Sequence, residues 1–144
     1  MKRVYVNEKW CLGCRLCEYF CAFAGTQGTD IARSLKGVKI NPRIRIEEKD
    51  GISFAVSCRH CREPLCVKGC ITGSLKVIEG VITVDQEHCV SCYTCVLSCP
   101  FGAISSSESG AVQKCELCTK DGTALPSCVS GCPNNAIVFE DRGA

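Results

Sequence analysis

The sequence has no long apolar run and no export signal. Its apolar stretches are only a few residues long, whereas a membrane-spanning helix needs roughly 20 residues. Lys2 and Arg3 near the start are not followed by an apolar segment, so neither a secretory nor a twin-arginine signal is predicted. We therefore expect a cytoplasmic protein with no direct membrane span.

Motifs of substrate chemistry and of nucleic-acid binding are also missing. There is no glycine-rich phosphate loop after a strand, no nucleophile–base pair and no carboxylate dyad. Aromatic residues make up 6% of the chain, and the basic residues are dispersed instead of being interleaved with aromatic ones. These absences predict that the chain is not catalytic on its own and does not bind nucleic acid.

What the sequence has in abundance is cysteine, with 16 among 144 residues. This density is typical of disulfide scaffolds, zinc sites or iron–sulfur clusters. Structural disulfides are rare in the cytoplasm, so the expected location disfavours the first of these. The cysteines form four quartets, each of which begins with a two-residue gap and ends with a three-residue gap: Cys11, Cys14, Cys17, Cys21; Cys58, Cys61, Cys66, Cys70; Cys89, Cys92, Cys95, Cys99; and Cys115, Cys118, Cys128, Cys132.

The third quartet carries the most specific motif, C-x2-C-x2-C-x3-C-P, which ends at Pro100. This is the signature of bacterial [4Fe–4S] ferredoxins, in which three cysteines hold one cluster and the fourth ligates a neighbouring cluster. A four-cysteine zinc site instead uses two C-x2-C pairs separated by about 15–20 residues, which leaves the remaining cysteines unexplained. The quartets therefore predict four [4Fe–4S] clusters with all sixteen cysteines as iron ligands. A zinc-binding interaction module is the alternative.

The other polar residues near the quartets are not predicted to bind iron. His60 and His88 adjoin cysteines, but sixteen cysteines already complete four clusters, so neither histidine is expected to bind iron. Each oxidised cluster with its thiolates carries about −2, which nearby cations would partly offset. Six basic residues near the quartets are each expected to be solvated surface charges: Arg15, Arg59, Arg62, Lys68, Lys114 and Lys120.

The segments between the quartets predict short hairpins and single-turn helices. Leu75–Ile78 and Val81–Val84 flank a Glu79-Gly80 turn, and residues 43–47 pair with Ile52–Val56 through Asp50-Gly51. The other expected elements are one or two helical turns at 30–35, single turns at 95–99 and 128–132, a weaker hairpin of 103–104 with 111–112 around a 105–107 loop, and a closing strand at 136–139.

An internal repeat indicates duplication. The residues from Val6 to Cys11 parallel those from Val84 to Cys89, since in both a short strand leads through a polar turn into the first cysteine. The predicted fold class is α+β, a duplicated bacterial 2[4Fe–4S] ferredoxin-like fold with short β-hairpins, short helices and long loops around four clusters. We expect one compact domain, 1–144, made of an outer unit (about 1–40 plus 104–144) and an inner unit (about 52–103). Because so small a chain has little hydrophobic core, the apo-protein should be largely unfolded.

The segment from Cys58 to Leu75 resembles a known motif. It reads C-R-H-C-R-E-P-L-C-V-K-G-C-I-T-G-S-L. It is similar to C-x-H-C-x-x-P-x-C-x-x-x-C-P-T-G-A in the four-cluster electron-transfer subunits, the β-subunit family of dimethyl-sulfoxide reductase, formate dehydrogenase and hydrogenase complexes. All four quartets match that family in order, and the sequence departs from it at Ile71, where proline is usual. The stretch from Trp10 to Glu18 resembles compact soluble members that serve tungsten-dependent aldehyde oxidoreductases and carbon monoxide dehydrogenases.

The resemblance implies that each quartet lends its last cysteine to a partner quartet. The outer quartets then give two ligand sets: Cys11, Cys14, Cys17 with Cys132, and Cys115, Cys118, Cys128 with Cys21. The inner quartets give the other two: Cys58, Cys61, Cys66 with Cys99, and Cys89, Cys92, Cys95 with Cys70. The spacings alone are also compatible with pairing the first quartet with the second and the third with the fourth.

The resemblance also implies a function. It predicts an electron-transfer subunit that relays single electrons through four [4Fe–4S] clusters. One partner would be a large catalytic metal-containing oxidoreductase subunit, of the tungsten aldehyde oxidoreductase or carbon monoxide dehydrogenase type, and the other a flavoprotein subunit or a ferredoxin. A freely diffusing polyferredoxin is the alternative with the same cofactors.

Overall fold

The computed structural model describes residues 1–26, 28–118 and 124–143. Within this part of the chain, short helices and two-stranded antiparallel sheets alternate in a small mixed α+β fold. The elements in chain order are β1 Arg3–Val6, α1 Leu16–Ala24, α2 Ile31–Leu35, β2 Arg45–Lys49, β3 Ile52–Val56, α3 Leu65–Lys68, β4 Leu75–Ile78, β5 Val81–Val84, α4 Thr94–Ser98, β6 Ser105–Ser106, β7 Val112–Gln113, α5 Ser127–Gly131 and β8 Ile137–Glu140.

The predicted hairpins form, but two of them are shifted in position. Strand β2 covers Arg45–Lys49 instead of the expected 43–47, because Lys49 pairs with Ile52 across the two-residue turn. The β4–β5 hairpin has the expected bounds, with Leu75 opposite Val84, and β2–β3 follows its expected Asp50-Gly51 turn. The weaker hairpin pairs Ser105–Ser106 with Val112–Gln113, so two serines that were expected in a loop are strand residues. The expected strand start at Ala103 is wrong because its N–H donates to the sulfur of Cys99 (3.5 Å) and is not available to a strand ladder.

The two ends of the chain close on each other. Strand β1 pairs with β8, so that Arg3 lies opposite Glu140. The N-terminal amine forms an ion pair with the Asp141 carboxylate, and the Arg142 guanidinium lies 4.1 Å from the centre of the Tyr5 ring. Because the first quartet follows β1 and the fourth precedes β8, this pairing brings the two outer quartets to the same region.

The helices are short, and α2, α4 and α5 lie where one or two turns were expected from sequence, whereas α1 and α3 were not predicted. Helix α1 is the longest described helix, with nine residues. Helix α2 begins after Asp30, whose carboxylate accepts hydrogen bonds from the backbone N–H groups of Ala32 (2.9 Å) and Arg33 (3.2 Å). Such a cap satisfies N–H groups that have no partner within the helix. No helix of the described residues is both long and apolar enough to cross a membrane.

Two clusters of buried residues form the core, and cysteines contribute to both. The first cluster consists of Val4, Cys17, Ile44, Ile46, Ala55, Leu117, Cys128 and Ile137. The second cluster consists of Cys66, Leu75, Ile82, Val84, Cys95, Ile104 and Val112. Each cluster is small, and further half-buried cysteines pack around its edge.

Helices α1 and α5 pack so closely that Gly131 has no room for a side chain. A Cβ at this position would lie 2.3 Å from Cδ2 and 2.4 Å from Cγ of the Phe20 ring. Because the ring would have to move out of the α1–α5 contact, Gly131→Ala should lower the free energy of unfolding by about 1–3 kcal/mol. Thermal unfolding followed by circular dichroism measures this. Gly25→Ala is the matched control, since its Cβ would meet only Ala22 O at an ordinary 3.5 Å; equal stability of the two variants would contradict the prediction.

Candidate iron–sulfur centres

The third cysteine of every quartet occupies the same place in a short helix. It is the second residue of α1, α3, α4 or α5. All four of these cysteines are buried, with at most 9% of their surface exposed: Cys17, Cys66, Cys95 and Cys128. The first helical turn therefore turns one thiol of each quartet into the protein interior.

The loop between the first two cysteines also has one conformation in all four quartets. The residue two positions after the first cysteine has a positive φ each time: Gly13 (68°), His60 (46°), Ser91 (57°) and Leu117 (58°). For a non-glycine residue this left-handed conformation costs roughly 1–2 kcal/mol. Sequence reasoning missed the left-handed conformation of His60, Ser91 and Leu117, although aligning the quartets places them opposite Gly13, which suits this conformation.

Backbone N–H groups point at cysteine sulfurs in a repeating pattern. In the second and fourth quartets, the strained residues donate to the first cysteine: His60 N to Cys58 Sγ (3.4 Å) and Leu117 N to Cys115 Sγ (3.4 Å). Two last cysteines accept from the residue four positions later, as in Ala136 N to Cys132 Sγ (3.3 Å). Such hydrogen bonds stabilise negative charge on sulfur.

Three cavities are each lined by four cysteines. Measured out to their open mouths, they are about 440, 320 and 310 Å³. The cysteines lining them are Cys58, Cys61, Cys66 and Cys99 in the first cavity, Cys11, Cys14, Cys17 and Cys132 in the second, and Cys70, Cys89, Cys92 and Cys95 in the third. Each cavity thus combines three cysteines of one quartet with the last cysteine of another.

The remaining four cysteines also lie close to one another. Burial first, and then the neighbouring Cys115, Cys21 and Cys118, raise the pKa of Cys128. Burial likewise raises the pKa of Cys21, with Cys118 contributing. The structure therefore brings together Cys115, Cys118 and Cys128 of the fourth quartet with Cys21 of the first.

The buried thiols hold their protons tightly until a metal displaces them. Burial and the Glu18 charge raise the pKa of Cys17 to about 12, and burial raises the pKa of Cys115 to about 12. Iron binds the thiolate, so metal binding must release these protons. Among the described residues, no three side chains of Cys, His, Asp or Glu converge closely enough to hold a single metal ion.

His60 is a buried, neutral histidine between two cysteines of the second quartet. It is 1% exposed, and its Nδ1 accepts a hydrogen bond from Ile82 N (3.1 Å), so its proton sits on Nε2. Burial, with the charges of Lys114 and Arg3, lowers the pKa of His60 to about 3, which keeps the ring neutral at pH 7. Its buried Nε2 has no hydrogen-bond partner among the described residues. The first cavity itself is lined by four thiols, and backbone N–H groups donate to the sulfurs of two of them, Cys58 and Cys99. Thiols with such donors fit a [4Fe–4S] cluster, which thiolates ligate.

Comparison with known proteins also points to [4Fe–4S] clusters. Residues 50–142 match the family model described as the 4Fe-4S dicluster domain. The chain belongs to this family. It is 31% identical to an iron-sulfur protein of Rhodospirillum rubrum, over 98% of this chain and 83% of the relative.

Two further relatives of this chain are named for electron transport. The electron transport protein HydN of Escherichia coli K12 is 33% identical, over 96% of this chain and 87% of HydN. The thiosulfate reductase electron transfer subunit PhsB of Salmonella typhi is 31% identical, over 92% of this chain and 72% of PhsB. The family and these relatives identify an iron–sulfur protein of electron transport.

A solved structure shares the fold of this family member. The active site complex BamBC of benzoyl coenzyme A reductase, with benzoyl-CoA bound, contains a chain that superposes with a TM-score of 0.53. The two chains are 24% identical, and the match covers 99% of this chain and 80% of the other. At this identity the likeness supports the fold.

One expectation about the charged residues is wrong. Arg15, Arg59, Arg62 and Lys68 are exposed, as expected, whereas Lys120 lies outside the described residues. Lys114 is 1% exposed instead of solvated. The reason is that its ammonium donates to the backbone carbonyl oxygens of Ile82 and Cys115, which hold it in the interior.

Proposed function

We propose that this chain is an electron-transfer subunit that holds four [4Fe–4S] clusters and passes single electrons between a catalytic metal-containing oxidoreductase subunit and a second redox partner. The observation that carries the proposal is the set of three cavities, each lined by three cysteines of one quartet and the last cysteine of another. Such an exchange of the last cysteine is the ferredoxin arrangement.

The first three proposed ligand sets follow these cavities, and the fourth consists of the remaining cysteines, which lie close to one another. The four sets are Cys58, Cys61, Cys66 with Cys99; Cys89, Cys92, Cys95 with Cys70; Cys11, Cys14, Cys17 with Cys132; and Cys115, Cys118, Cys128 with Cys21. The proposed inner unit is about 52–103, and the outer unit is about 1–40 plus 104–144. The pairing of β1 with β8, which joins the two segments of the outer unit, supports the division.

The chain's own residues would bind each cluster and set its environment. When bound, a [4Fe–4S] cluster supplies a one-electron redox couple whose potential depends on hydrogen bonds to sulfur, charge and exposure. The short helices bury one thiol of every set, and the left-handed residues direct N–H groups to sulfur. Exchange of the last cysteine keeps the two sites of a pair close together, which matters because electron tunnelling decays exponentially with distance.

Two exposed cysteines mark the proposed points of contact with redox partners. Cys14 and Cys92 are exposed, whereas the third cysteine of each quartet is buried. Exposed apolar side chains flank them in the sequence, including Leu12 (67% exposed) and Val90 (59%). We propose that electrons enter and leave near these two cysteines.

The nature of the partners follows from the sequence and from the relatives. PhsB is named as a subunit of thiosulfate reductase, which supports a large catalytic subunit as one partner. The stretch from Trp10 to Glu18 favours a tungsten aldehyde oxidoreductase or a carbon monoxide dehydrogenase for that role. A flavoprotein subunit or a ferredoxin is the proposed second partner.

Anaerobic purification from the native cell under mild conditions tests the proposal. We expect a brown protein with about 16 irons and 16 sulfides per chain, since four cubanes each hold four of both. We also expect it to co-purify with a large oxidoreductase subunit. A colourless protein with stoichiometric zinc would exclude the clusters, and a brown protein that elutes only as a monomer would favour a free polyferredoxin over a subunit.

A further inference from the structure

Lys114 is a buried cation whose hydrogen bonds join two parts of the chain. It is 1% exposed, and its Nζ donates to the carbonyl oxygen of Ile82 in β5 and to that of Cys115 (2.7 Å). Ile82 also donates its N–H to His60, which lies between two cysteines of the second quartet. The ammonium therefore lies at the junction between the second and fourth quartets.

The same ammonium lies beside cysteines of both quartets. Ile82, whose carbonyl oxygen it binds, lines the first cavity together with Cys58 and Cys66 of the second quartet. The other carbonyl oxygen that it binds belongs to Cys115, the first cysteine of the fourth quartet.

Among the described residues, the acceptors that hold the ammonium are carbonyl oxygens and not carboxylates. Within the described part of the chain, Lys114 takes part in none of the ion pairs with a carboxylate. Burying an unpaired charge is costly, and two carbonyl dipoles compensate only in part. Clusters ligated by thiolates are anionic, and reduction adds one more negative charge. A cation fixed nearby in a low-dielectric interior stabilises that added charge.

We infer that Lys114 sets the reduction potentials of the two clusters ligated by the second and fourth quartets, raising both above the value they would have without its charge. The inference rests on the proposed function, because it requires clusters at these cysteines. Lys114 would thereby stabilise the reduced form of the two clusters that lie at the junction of the inner and outer units. Neighbouring quartets would then be linked electrostatically as well as through the hydrogen bonds of Lys114.

The test compares charge-removing and charge-keeping variants of the purified holoprotein. Lys114→Met removes the ammonium, Lys114→Arg keeps a cation, and Lys39→Met removes a cation from an exposed position as the matched control. Iron and sulfide are counted first, and midpoint potentials are then measured by redox titration followed with electron paramagnetic resonance. In Lys114→Met we expect two of the potentials to fall by at least the 59 mV that corresponds to a tenfold change in a one-electron equilibrium.

Each outcome decides the matter. A fall confined to two potentials in Lys114→Met, with Lys114→Arg and Lys39→Met close to the wild type, supports the inference. If Lys114→Met loses its clusters and Lys114→Arg keeps them, the need for a charge at this site is also supported. Full iron content with unchanged potentials in Lys114→Met, or loss of clusters in both Lys114 variants, overturns the inference and leaves the proposed function standing. A wild-type protein without iron defeats the proposed function instead.

Discussion

Removal of iron by a chelator, under anaerobic conditions with a thiol reductant present, is expected to unfold this protein. The far-UV circular dichroism signal of the helices and strands should disappear, and a protease should cleave the chain rapidly. Addition of iron and sulfide should restore both properties. The expected effect is large because metal binding and folding are coupled when the site does not exist in the unfolded chain.

The secondary structure is too short to stand alone. The longest described helix has nine residues, below the about 12–15 at which an isolated helix becomes marginally stable in water. Every sheet of the described residues has two strands, and an isolated two-stranded sheet is at best marginally stable. Local structure must therefore be held by tertiary contacts.

Those tertiary contacts depend on the cysteines. Both buried clusters include cysteines, such as Cys17 and Cys128 in one and Cys66 and Cys95 in the other. In the apo-protein these thiols would be neutral groups around open cavities, and the left-handed residues His60, Ser91 and Leu117 would keep their conformational cost without the metal bonds that offset it. An iron-free protein with native circular dichroism and protease resistance would contradict this account. Incubation with the metal-saturated chelator is the control.

Much of the fold could be predicted because its signals are local. The strands from Leu75 to Val84 are β-branched runs around a two-residue turn, and the observed hairpin has those bounds. The cysteine spacing indicated the chemistry, because a thiol pattern of this kind has few other uses. Asp30 at the start of α2 is likewise a local cap that sequence displays directly.

Features that depend on the assembled interior could not be predicted. Nothing in the residue type distinguishes Lys114 from the exposed Lys68, since its burial depends on where the carbonyls of Ile82 and Cys115 meet. The left-handed conformations of Ser91 and Leu117 run against their residue types and are imposed by the loop that joins two cysteines. The start of β6 was misplaced because a sulfur competes for the N–H of Ala103.

Replacement of Cys99 tests which quartets share ligands. Cys99 lies at the end of the third quartet, yet it lines a cavity with Cys58, Cys61 and Cys66. Cys99→Ala should therefore remove one reducible [4Fe–4S] centre, that of the second quartet, and leave the centre of its own quartet intact. Integration of the electron paramagnetic resonance signal of the fully reduced protein counts the centres that remain. The method does not count a three-iron product as an intact centre.

Double variants then decide between the arrangements, because two changes at one site are not additive whereas changes at separate sites are. We expect Cys58→Ala with Cys99→Ala to lose one centre, as the single variant does, and Cys89→Ala with Cys99→Ala to lose two. If each quartet kept its own last cysteine, the second double variant would lose only one. If the third and fourth quartets were paired, Cys99→Ala with Cys115→Ala would lose one centre and Cys58→Ala with Cys99→Ala would lose two. Cys99 would then ligate the cluster of the fourth quartet and not that of the second quartet, whose cysteines share its cavity.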